Sequence, residues 1–253
     1  MKIAFSQPTH NTDDQQLLFS RFHSFGYDGL QLKANQYSAY VYQPAGFIEA
    51  YGKDTSAIAS GLIAGGLLDD AGIASLRALF RFAQQVGSER IIFCHAQSRQ
   101  DLSYIDLQQY AAILSELGKE ARQRGISLSL HHHYKQPVMH RQDFEVFFAA
   151  VKDQSVSLTI DTAHLVKSGI KDIAGIIREY RQFIDNIHIK DFADDAFKLL
   201  GRGEIDFRPV FSALHEINYD GWICADEESG STGLEALETC AHFLYTQLKP
   251  SLS

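Results

Sequence analysis

The sequence predicts a single (β/α)8 TIM barrel domain that spans residues 1–253. Short β-rich runs alternate with longer amphipathic runs, and this alternation is typical of a parallel sheet covered by helices. Eight such units in 253 residues favour closure of the sheet into a barrel. No linker or low-complexity segment divides the chain, so we expect one domain.

The eight predicted units follow one another along the whole chain, and Gly follows several of the predicted helices. The predicted strands are Lys2–Ser6, Gly29–Lys33, Thr55–Ser60, Arg90–Cys94, Ile126–His131, Ser157–Asp161, Asn186–Lys190 and Trp222–Asp226. The predicted helices are Gln15–Phe25, Gln43–Tyr51, Ile73–Val86, Leu107–Arg124, Arg141–Val151, Asp172–Tyr180, Phe207–Ile217 and Leu234–Leu248.

The segment Gly61–Asp70 is predicted to be a loop at the barrel rim, because Gly65 and Gly66 permit conformational freedom. An open doubly wound sheet would require a glycine-rich phosphate turn after an early strand. The glycines from Gly61 to Gly66 have a different spacing, which favours the barrel over the open sheet.

Composition excludes several classes of function. The net charge of −8 and the scattered cations disfavour a nucleic-acid partner. No apolar stretch has the length of a signal peptide core or a membrane span, so we expect no membrane association. Cys94, Cys224 and Cys240 are odd in number and widely spaced, which predicts free thiols and a cytoplasmic location.

Apolar and polar side chains alternate along the last four predicted strands. The apolar phase must pack on the surrounding helices, so the polar phase faces the barrel axis. Its imidazoles and carboxylates concentrate at the carboxyl ends of the strands, where active sites of such barrels lie. The polar phase consists of Ser127, Ser129, His131, His133, Ser157, Thr159, Asp161, Asn186, His188, Lys190, Trp222, Cys224, Asp226 and Glu228.

These imidazoles and carboxylates predict a metal centre, because buried polar groups of this kind need partners and a divalent cation can serve them all. The donor types suit Zn, Mn, Co or Fe. A lone Asp at a strand end usually caps the next helix, so the prediction depends on four strands agreeing in phase. The same alternation predicts that His132 faces the helices.

The earlier strands add further candidates. Gln31 and Lys33 share one phase of the second strand, and we expect both to contact the substrate. His95 follows Ile91 and Phe93 in one phase at the end of the fourth strand and is a candidate acid or base.

Several segments resemble the sugar phosphate isomerase/epimerase superfamily, the xylose isomerase-like barrels that include the AP endonuclease family. Asp161–His164 resembles its Asp-Thr-Gly-His motif, and Asn186–Asp191 resembles its His-x-Lys-Asp motif. Leu200–Phe207 resembles its Gly-x-Gly-x-Ile-Asp segment, and Tyr219–Trp222 with the acidic residues that follow resembles its last strand. The resemblance covers most of the chain and is strongest after Gly125.

The resemblance implies one divalent metal ion held by His131, Asp161, His188 and Asp226, with Glu228 as an alternative to Asp226. Most members carry Glu where this chain has His131, and the His-x-His form is similar to the inosose-dehydratase-like branch. Members often dimerise, so a homodimer is an open alternative that the resemblance suggests.

The remaining candidates are expected to act on the substrate. Glu228 and His133, like His95, are candidate acids or bases, while His164 and Lys190 are expected to orient ligands or bind the substrate. Arg202 lies between two glycines on a rim loop and is expected to clamp a substrate anion or hydroxyl.

The implied function is isomerisation or epimerisation of a small sugar or keto-polyol, by proton transfer beside a carbonyl through a metal-stabilised enediolate. A keto-polyol dehydratase shares the early chemistry, and the His-x-His form favours it slightly. A sugar-binding barrel without catalysis is an alternative, since His131 replaces a Glu. Metal-assisted DNA cleavage is disfavoured by the acidic charge.

Overall fold

The computed structural model describes residues 1–52 and 55–248, and these residues form the predicted closed barrel of eight parallel strands. Residues 53–54 and 249–253 of the predicted domain lie outside the described residues. The strands, numbered in chain order, are β1 (Lys2–Ser6), β2 (Gly29–Leu32), β3 (Gly61–Gly66), β4 (Arg90–His95), β5 (Ser127–His131), β6 (Ser157–Asp161), β7 (Ile184–Ile189), β8 (Asp191–Ala193), β9 (Ala196–Lys198) and β10 (Trp222–Asp226).

The barrel closes through parallel pairing of β1 with β10, in which Ser6 pairs with Asp226. The strand β10 also pairs with β7, because β8 and β9 form a separate antiparallel hairpin above the barrel wall. The sequence did not predict this hairpin.

Helices cover the outside of the barrel, and most lie close to their predicted positions. Helix α4 begins earlier than predicted because the Asp69 side chain accepts a hydrogen bond from the Gly72 N–H and caps it. The helices are α1 (Thr12–Arg21), α2 (Ala34–Tyr37), α3 (Pro44–Tyr51), α4 (Asp70–Val86), α5 (Tyr104–Arg122), α6 (Arg141–Ala150), α7 (Thr162–Lys167), α8 (Ile173–Glu179), α9 (Arg208–Glu216) and α10 (Gly233–Leu248).

The third strand was predicted wrongly. Thr55–Ser60 is a turn, and the predicted rim loop supplies strand β3, Gly61–Gly66, instead. A Cβ atom on Gly61 would lie 3.1 Å from side-chain atoms of both Arg90 and Gln31. Glycine is unfavourable in a strand by propensity, yet here it leaves room inside the barrel for those two long side chains.

Strand β7 contains an irregularity next to β6. Leu158 pairs with Ile184 and Thr159 pairs with Asn186, so Asp185 is an extra residue in the ladder. A bulge of this kind re-aims side chains. Asp185 accepts a hydrogen bond from Ser129 of β5 and Asn186 donates one to Gln31 of β2, so β7 presents two successive polar side chains to the barrel interior.

The outward phase of the strands forms the main core, as predicted. Leu128, Leu130, Leu158 and Ile160 are almost completely buried between the barrel and its helices. Burial of one such side chain contributes roughly 1.5–3 kcal/mol to stability. Among residues 1–52 and 55–248, no helix combines the length and the apolar character needed to cross a membrane.

Candidate metal centre

Three side chains converge at the carboxyl end of the barrel. His131 and Asp161 are the last residues of β5 and β6, His188 is the penultimate residue of β7, and one ligand atom from each lies within 4.8 Å of the others. His131 Nε2 is 3.2 Å from His188 Nδ1 and 3.6 Å from Asp161 Oδ2. All three side chains are almost completely buried. These three residues thus lie together at the strand ends, where the alternation of polar and apolar side chains predicted them.

Two backbone hydrogen bonds hold Asp161 in place. Its Oδ1 atom accepts from the His164 N–H at 2.9 Å and caps helix α7, while its own N–H donates to His132 Nε2 at 2.9 Å. The Oδ2 atom is buried and accepts no hydrogen bond within the described part of the chain. Asp161 thus caps a helix with one oxygen and presents the other to the two imidazoles.

A donor set of two imidazoles and one carboxylate is typical of divalent transition-metal sites. The buried, unbonded Asp161 Oδ2 atom lies 3.6 Å from His131 Nε2 and 4.0 Å from His188 Nδ1. The Lys190 ammonium group, 3.4 Å from the same oxygen, compensates its charge, and a metal ion held between this oxygen and the two imidazoles would contact all three ligand atoms. The residues present therefore fit one divalent metal ion.

The orientation of His188 is set on the side away from Asp161. Its Nε2 atom lies 2.8 Å from Gln31 Oε1, and Gln31 exchanges hydrogen bonds with Asn186. Gln31 is almost completely buried. It was predicted to bind substrate, but it lies beneath the imidazole and contacts His188.

Two lysines and two carboxylates form an ionic cluster beside these residues. Asp226 places Oδ1 at 2.6 Å from Lys33 Nζ and Oδ2 at 2.6 Å from Lys190 Nζ. Glu228 bridges the same two ammonium groups, at 2.6 Å and 2.8 Å. Asp226 Oδ2 is also 3.5 Å from His188 Nδ1. The predicted fourth ligand is therefore next to the group but is shared with lysines.

The carboxylates and ammonium groups of this cluster keep each other charged although they are buried. Burial by itself would raise the pKa of Asp161, but Lys190 and the nearby imidazoles hold it well below its usual range. Burial likewise opposes the charge of Lys190, yet Asp161 and Asp226 raise its pKa well above the usual value. Carboxylates and ammonium groups are thus all charged here.

Two further imidazoles stand at the mouth. The rings of His133 and His164 have centroids 3.7 Å apart. His133 Nδ1 lies 2.7 Å from the carbonyl oxygen of Tyr134, so that nitrogen carries the proton and Nε2 keeps a free lone pair. Burial and the neighbouring His131 lower the pKa of His133. His133 is therefore neutral and can accept a proton.

Two predicted site residues lie elsewhere. His95 packs on Tyr110 with ring centroids 4.3 Å apart and accepts a hydrogen bond from the Gln97 N–H. Its phase is that of Ile91 and Phe93, which face the helices, so it is outside the barrel wall. Arg202 is exposed on the loop after β9, and its predicted substrate contact stays a prediction.

Sequence reasoning missed several neighbours of the group. Cys94, the inward residue next to His95, lies beside His131 and contributes to its electrostatic environment. Phe197 of the β8–β9 hairpin covers Lys190, whose Nζ is 4.7 Å from the ring centroid, and meets His164 edge-on. The inward phase of β4 was the available signal for Cys94. The residues around Phe197 carry no sequence pattern that predicts the hairpin, so its position over Lys190 is visible only in the tertiary structure.

The fold and the site define a barrel with a candidate metal centre at its carboxyl end. A family model described as xylose isomerase-like TIM barrel matches residues 19–246, and the chain belongs to that family. The superfamily resemblance is confirmed by this match.

Curated relatives of this chain carry the name inosose dehydratase, among them the proteins from Clostridium tetani and Lacticaseibacillus casei. The protein from Clostridium tetani is 31% identical over an alignment of 144 residues, and the match covers 49% of this chain and 48% of that protein. The protein from Lacticaseibacillus casei is 33% identical over an alignment of 140 residues, and the match covers 48% of this chain and 47% of that protein. The chain therefore spans about half the length of the curated relatives it matches.

Solved structures share the fold at low identity. The probable 3-DHS dehydratase AsbF from Bacillus anthracis has a TM-score of 0.79 at 15% identity, over 97% of this chain and 99% of that chain. The 3-keto-D-glucoside 4-epimerase YcjR from E. coli has a TM-score of 0.75 at 17% identity, with the same coverage. The IOLI protein with a zinc atom has a TM-score of 0.73 at 18% identity, over 98% of each chain.

Proposed function

We propose that this protein is a metal-dependent enzyme that removes a proton beside the carbonyl of a small sugar or keto-polyol, and that its reaction is the dehydration of a keto-polyol. The observation that carries the proposal is the convergence of His131, Asp161 and His188 within 4.8 Å at the carboxyl end of the barrel. The names of the relatives from Clostridium tetani and Lacticaseibacillus casei support dehydration.

His131, Asp161 and His188 would hold the ion, with Asp226 adjacent to it. The native ion would be Zn, Mn, Co or Fe, which accept this donor set. When bound, such an ion polarises a carbonyl group and stabilises the negative charge that develops on its oxygen.

His133 is the group best placed to move the proton. Its Nε2 lone pair is free because Nδ1 donates to the Tyr134 carbonyl. We assign it removal of the proton from the carbon next to the carbonyl. The same imidazolium can then protonate the hydroxyl on the following carbon, which leaves as water with its bonding electrons while the carbon–carbon double bond forms. His133 returns to its neutral form, so no other reactant is required.

The lysines would bind the substrate and not the ion. Lys33 and Lys190 each contact both Asp226 and Glu228, so their charges are compensated before any ligand arrives. Lys190 is covered by Phe197, which limits access of water. A polyol hydroxyl or an enolate oxygen is the kind of group that such ammonium donors bind.

An isomerase or epimerase is the second candidate. Glu228 is about one-third exposed at the mouth and is the only carboxylate of the ionic cluster that solvent reaches to that extent. A second proton-carrying group at this position would allow the proton to return at another carbon or face. However, Lys33 and Lys190 lower the pKa of Glu228 against the effect of burial, which makes it a weak base.

The test is turnover of a panel of inososes and ketoses in deuterated water by protein loaded with Mn, Zn, Co or Fe. A dehydratase yields an enone or diketone, detected by ultraviolet absorbance and mass spectrometry, whereas an isomerase or epimerase yields recovered sugar that contains deuterium. His133→Asn should abolish either reaction, and His242→Asn on the exposed face of α10 should not. Sugar binding without turnover would replace the proposal with a non-catalytic barrel.

A further inference from the structure

A continuous row of polar side chains runs through the barrel interior from its amino end to the candidate metal centre. At one end, the Asp185 carboxylate pairs with Arg90 Nη1 at 2.9 Å and accepts hydrogen bonds from the hydroxyl groups of Ser127 and Ser129. At the other end is His188, a candidate ligand. The row comprises Asp185, Ser129, Thr159, Asn186, Gln31 and His188.

The hydroxyl half of this row has only one consistent direction. A carboxylate paired with a guanidinium can only accept hydrogen bonds, so the single proton of Ser129 must point to Asp185 Oδ1 at 2.8 Å. The 2.7 Å contact between Ser129 and Thr159 must then use the Thr159 proton. With its own proton committed, Thr159 Oγ1 can only accept from Asn186, whose Nδ2 lies 3.4 Å away.

The donor and acceptor roles in the amide part of the row follow from those in the hydroxyl part. Since Asn186 turns Nδ2 to Thr159, its Oδ1 atom faces Gln31 and requires a donor, which is Gln31 Nε2 at 2.7 Å. Gln31 then turns Oε1 toward His188 at 2.8 Å, and this oxygen has no proton to give. His188 Nε2 must therefore carry a proton, and in the neutral ring the Nδ1 atom keeps the lone pair.

We propose that Asp185 fixes the tautomer of His188 through these four intervening side chains, and that Ser129, Thr159, Asn186 and Gln31 are positioning residues for a metal ligand. The lone pair on His188 Nδ1 faces Asp161 Oδ2 at 4.0 Å and Asp226 Oδ2 at 3.5 Å, where an ion would sit. The bulge in β7 is essential to this arrangement, because it turns Asp185 and Asn186 to the same side of the strand.

The consequence for the ion rests on the proposed function, but the tautomer itself is a property of the metal-free protein. An imidazole that already holds its proton on the far nitrogen binds a metal without rearranging, and loss of such a partner typically weakens metal binding 10–100-fold. The two hydrogen bonds between the side-chain amides of Gln31 and Asn186 also prevent rotation of the Gln31 amide. The preference of His188 for the Nε2-protonated tautomer therefore does not depend on solvent.

The experiment uses long-range ¹H–¹⁵N NMR of the histidine rings in metal-free protein, with the His188 signals assigned by their absence in His188→Gln. We expect the wild-type ring to be protonated on Nε2. Thr159→Val removes the hydroxyl with little change in volume, so it should give a mixture of tautomers and weaken Zn²⁺ binding at least tenfold by titration calorimetry. Thr159→Ser should restore both, and Ser129→Ala should act like Thr159→Val.

Ser127→Ala is the matched control, because Ser127 donates to the same carboxylate two residues along the same strand but is not in the row. It should leave the tautomer and the Zn²⁺ affinity unchanged. Protonation of the wild-type ring on Nδ1 would overturn the inference. It would also fail if Thr159→Val and Ser129→Ala both behaved like Ser127→Ala. A protein that shows the tautomer effect without any turnover would contradict only the proposed reaction.

Discussion

Lys190 Nζ lies 2.6 Å from Asp226 Oδ2, and both side chains are 2% exposed. The same ammonium group is 3.4 Å from Asp161 Oδ2, the atom that the two imidazoles face. A positive charge thus stands next to the position where a divalent cation would bind. The lysine compensates buried carboxylates in the metal-free protein and would repel a metal ion from them.

Replacing that lysine should therefore separate stability from metal affinity. Lys190→Met replaces the side chain by an unbranched one that is a single atom shorter and removes its charge. The metal-free protein should lose about 3–5 kcal/mol of unfolding free energy, because buried carboxylates are left uncompensated. Zn²⁺ or Mn²⁺ should bind at least tenfold more tightly, because the repulsion is gone.

Urea unfolding with and without metal, together with titration calorimetry, measures both effects. The exposed Lys171 provides the same substitution on the surface, and Lys171→Met should change neither quantity. Unaltered metal affinity in Lys190→Met would show that the ammonium group does not compete with the ion.

Loss of the shared carboxylate should remove the metal. Asp161→Asn keeps the Oδ1 cap of helix α7 and replaces the buried Oδ2 oxygen, which accepts no hydrogen bond from the described residues, by an amide nitrogen. We expect metal content to fall from about one ion per chain to near zero, because three ligands are reduced to two. Plasma mass spectrometry after metal loading provides the measurement, with the exposed Asp220→Asn as control. Full occupancy in Asp161→Asn would place the ion elsewhere.

The loop that carries His133 is anchored by a buried carboxylate that pairs with the partly exposed Arg99. Asp143 is completely buried, accepts from Arg99 Nε at 2.9 Å and accepts from the N–H groups of Met139 and His140. Asp143→Ala leaves these donors without a partner and should lower the unfolding free energy by about 3–5 kcal/mol. Chemical denaturation with Asp220→Ala as control provides the test. A change under 1 kcal/mol would show that water replaces the carboxylate fully.

Acid should destabilise the fold through His95. Burial lowers the pKa of this imidazole from its ordinary value of 6.5 to about 4, so the unfolded chain takes up the proton first. The stabilising contribution is complete above pH 6.5 and is lost as the pH falls toward 4, up to about 3 kcal/mol. His95→Asn retains an acceptor for the Gln97 N–H and should flatten stability over that range.

The measurement is urea unfolding at a series of pH values between 7 and 4. His242→Asn, at an exposed position, should keep the wild-type slope. Equal slopes for wild type and His95→Asn would mean that other groups account for the acid sensitivity.

The alternation of polar and apolar side chains along the strands predicted which residues of the site face the barrel interior. His131, Asp161 and His188 follow regular polar phases on adjacent strands, and parallel pairing brings the strand ends together. Parity also placed His132 correctly: its ring packs against Phe144 of α6. His95 shares the phase of Ile91 and Phe93, which face the helices, so the alternation along β4 turns Cys94 and not His95 to the inward side.

The alternation along the strands could not predict which hydrogen bonds and ion pairs these side chains form with one another. Gln31 was expected to contact the substrate, but it lies under His188 and contacts that imidazole. Asp226 was expected to bind the metal, but each of its carboxylate oxygens forms an ion pair with a lysine. Those pairings join strands far apart in the chain, and the strand pattern contains no information about them.

The amino-acid sequence by itself determined the barrel, the inward face of most strands and the residue types at their carboxyl ends, because these follow from local alternation of apolar and polar side chains. Only the tertiary structure decided that glycine-rich β3 is a strand, that β7 bulges at Asp185 and that lysines neutralise the acidic residues. Each of these depends on the volume, hydrogen-bond direction or charge of residues brought close only by closure of the sheet.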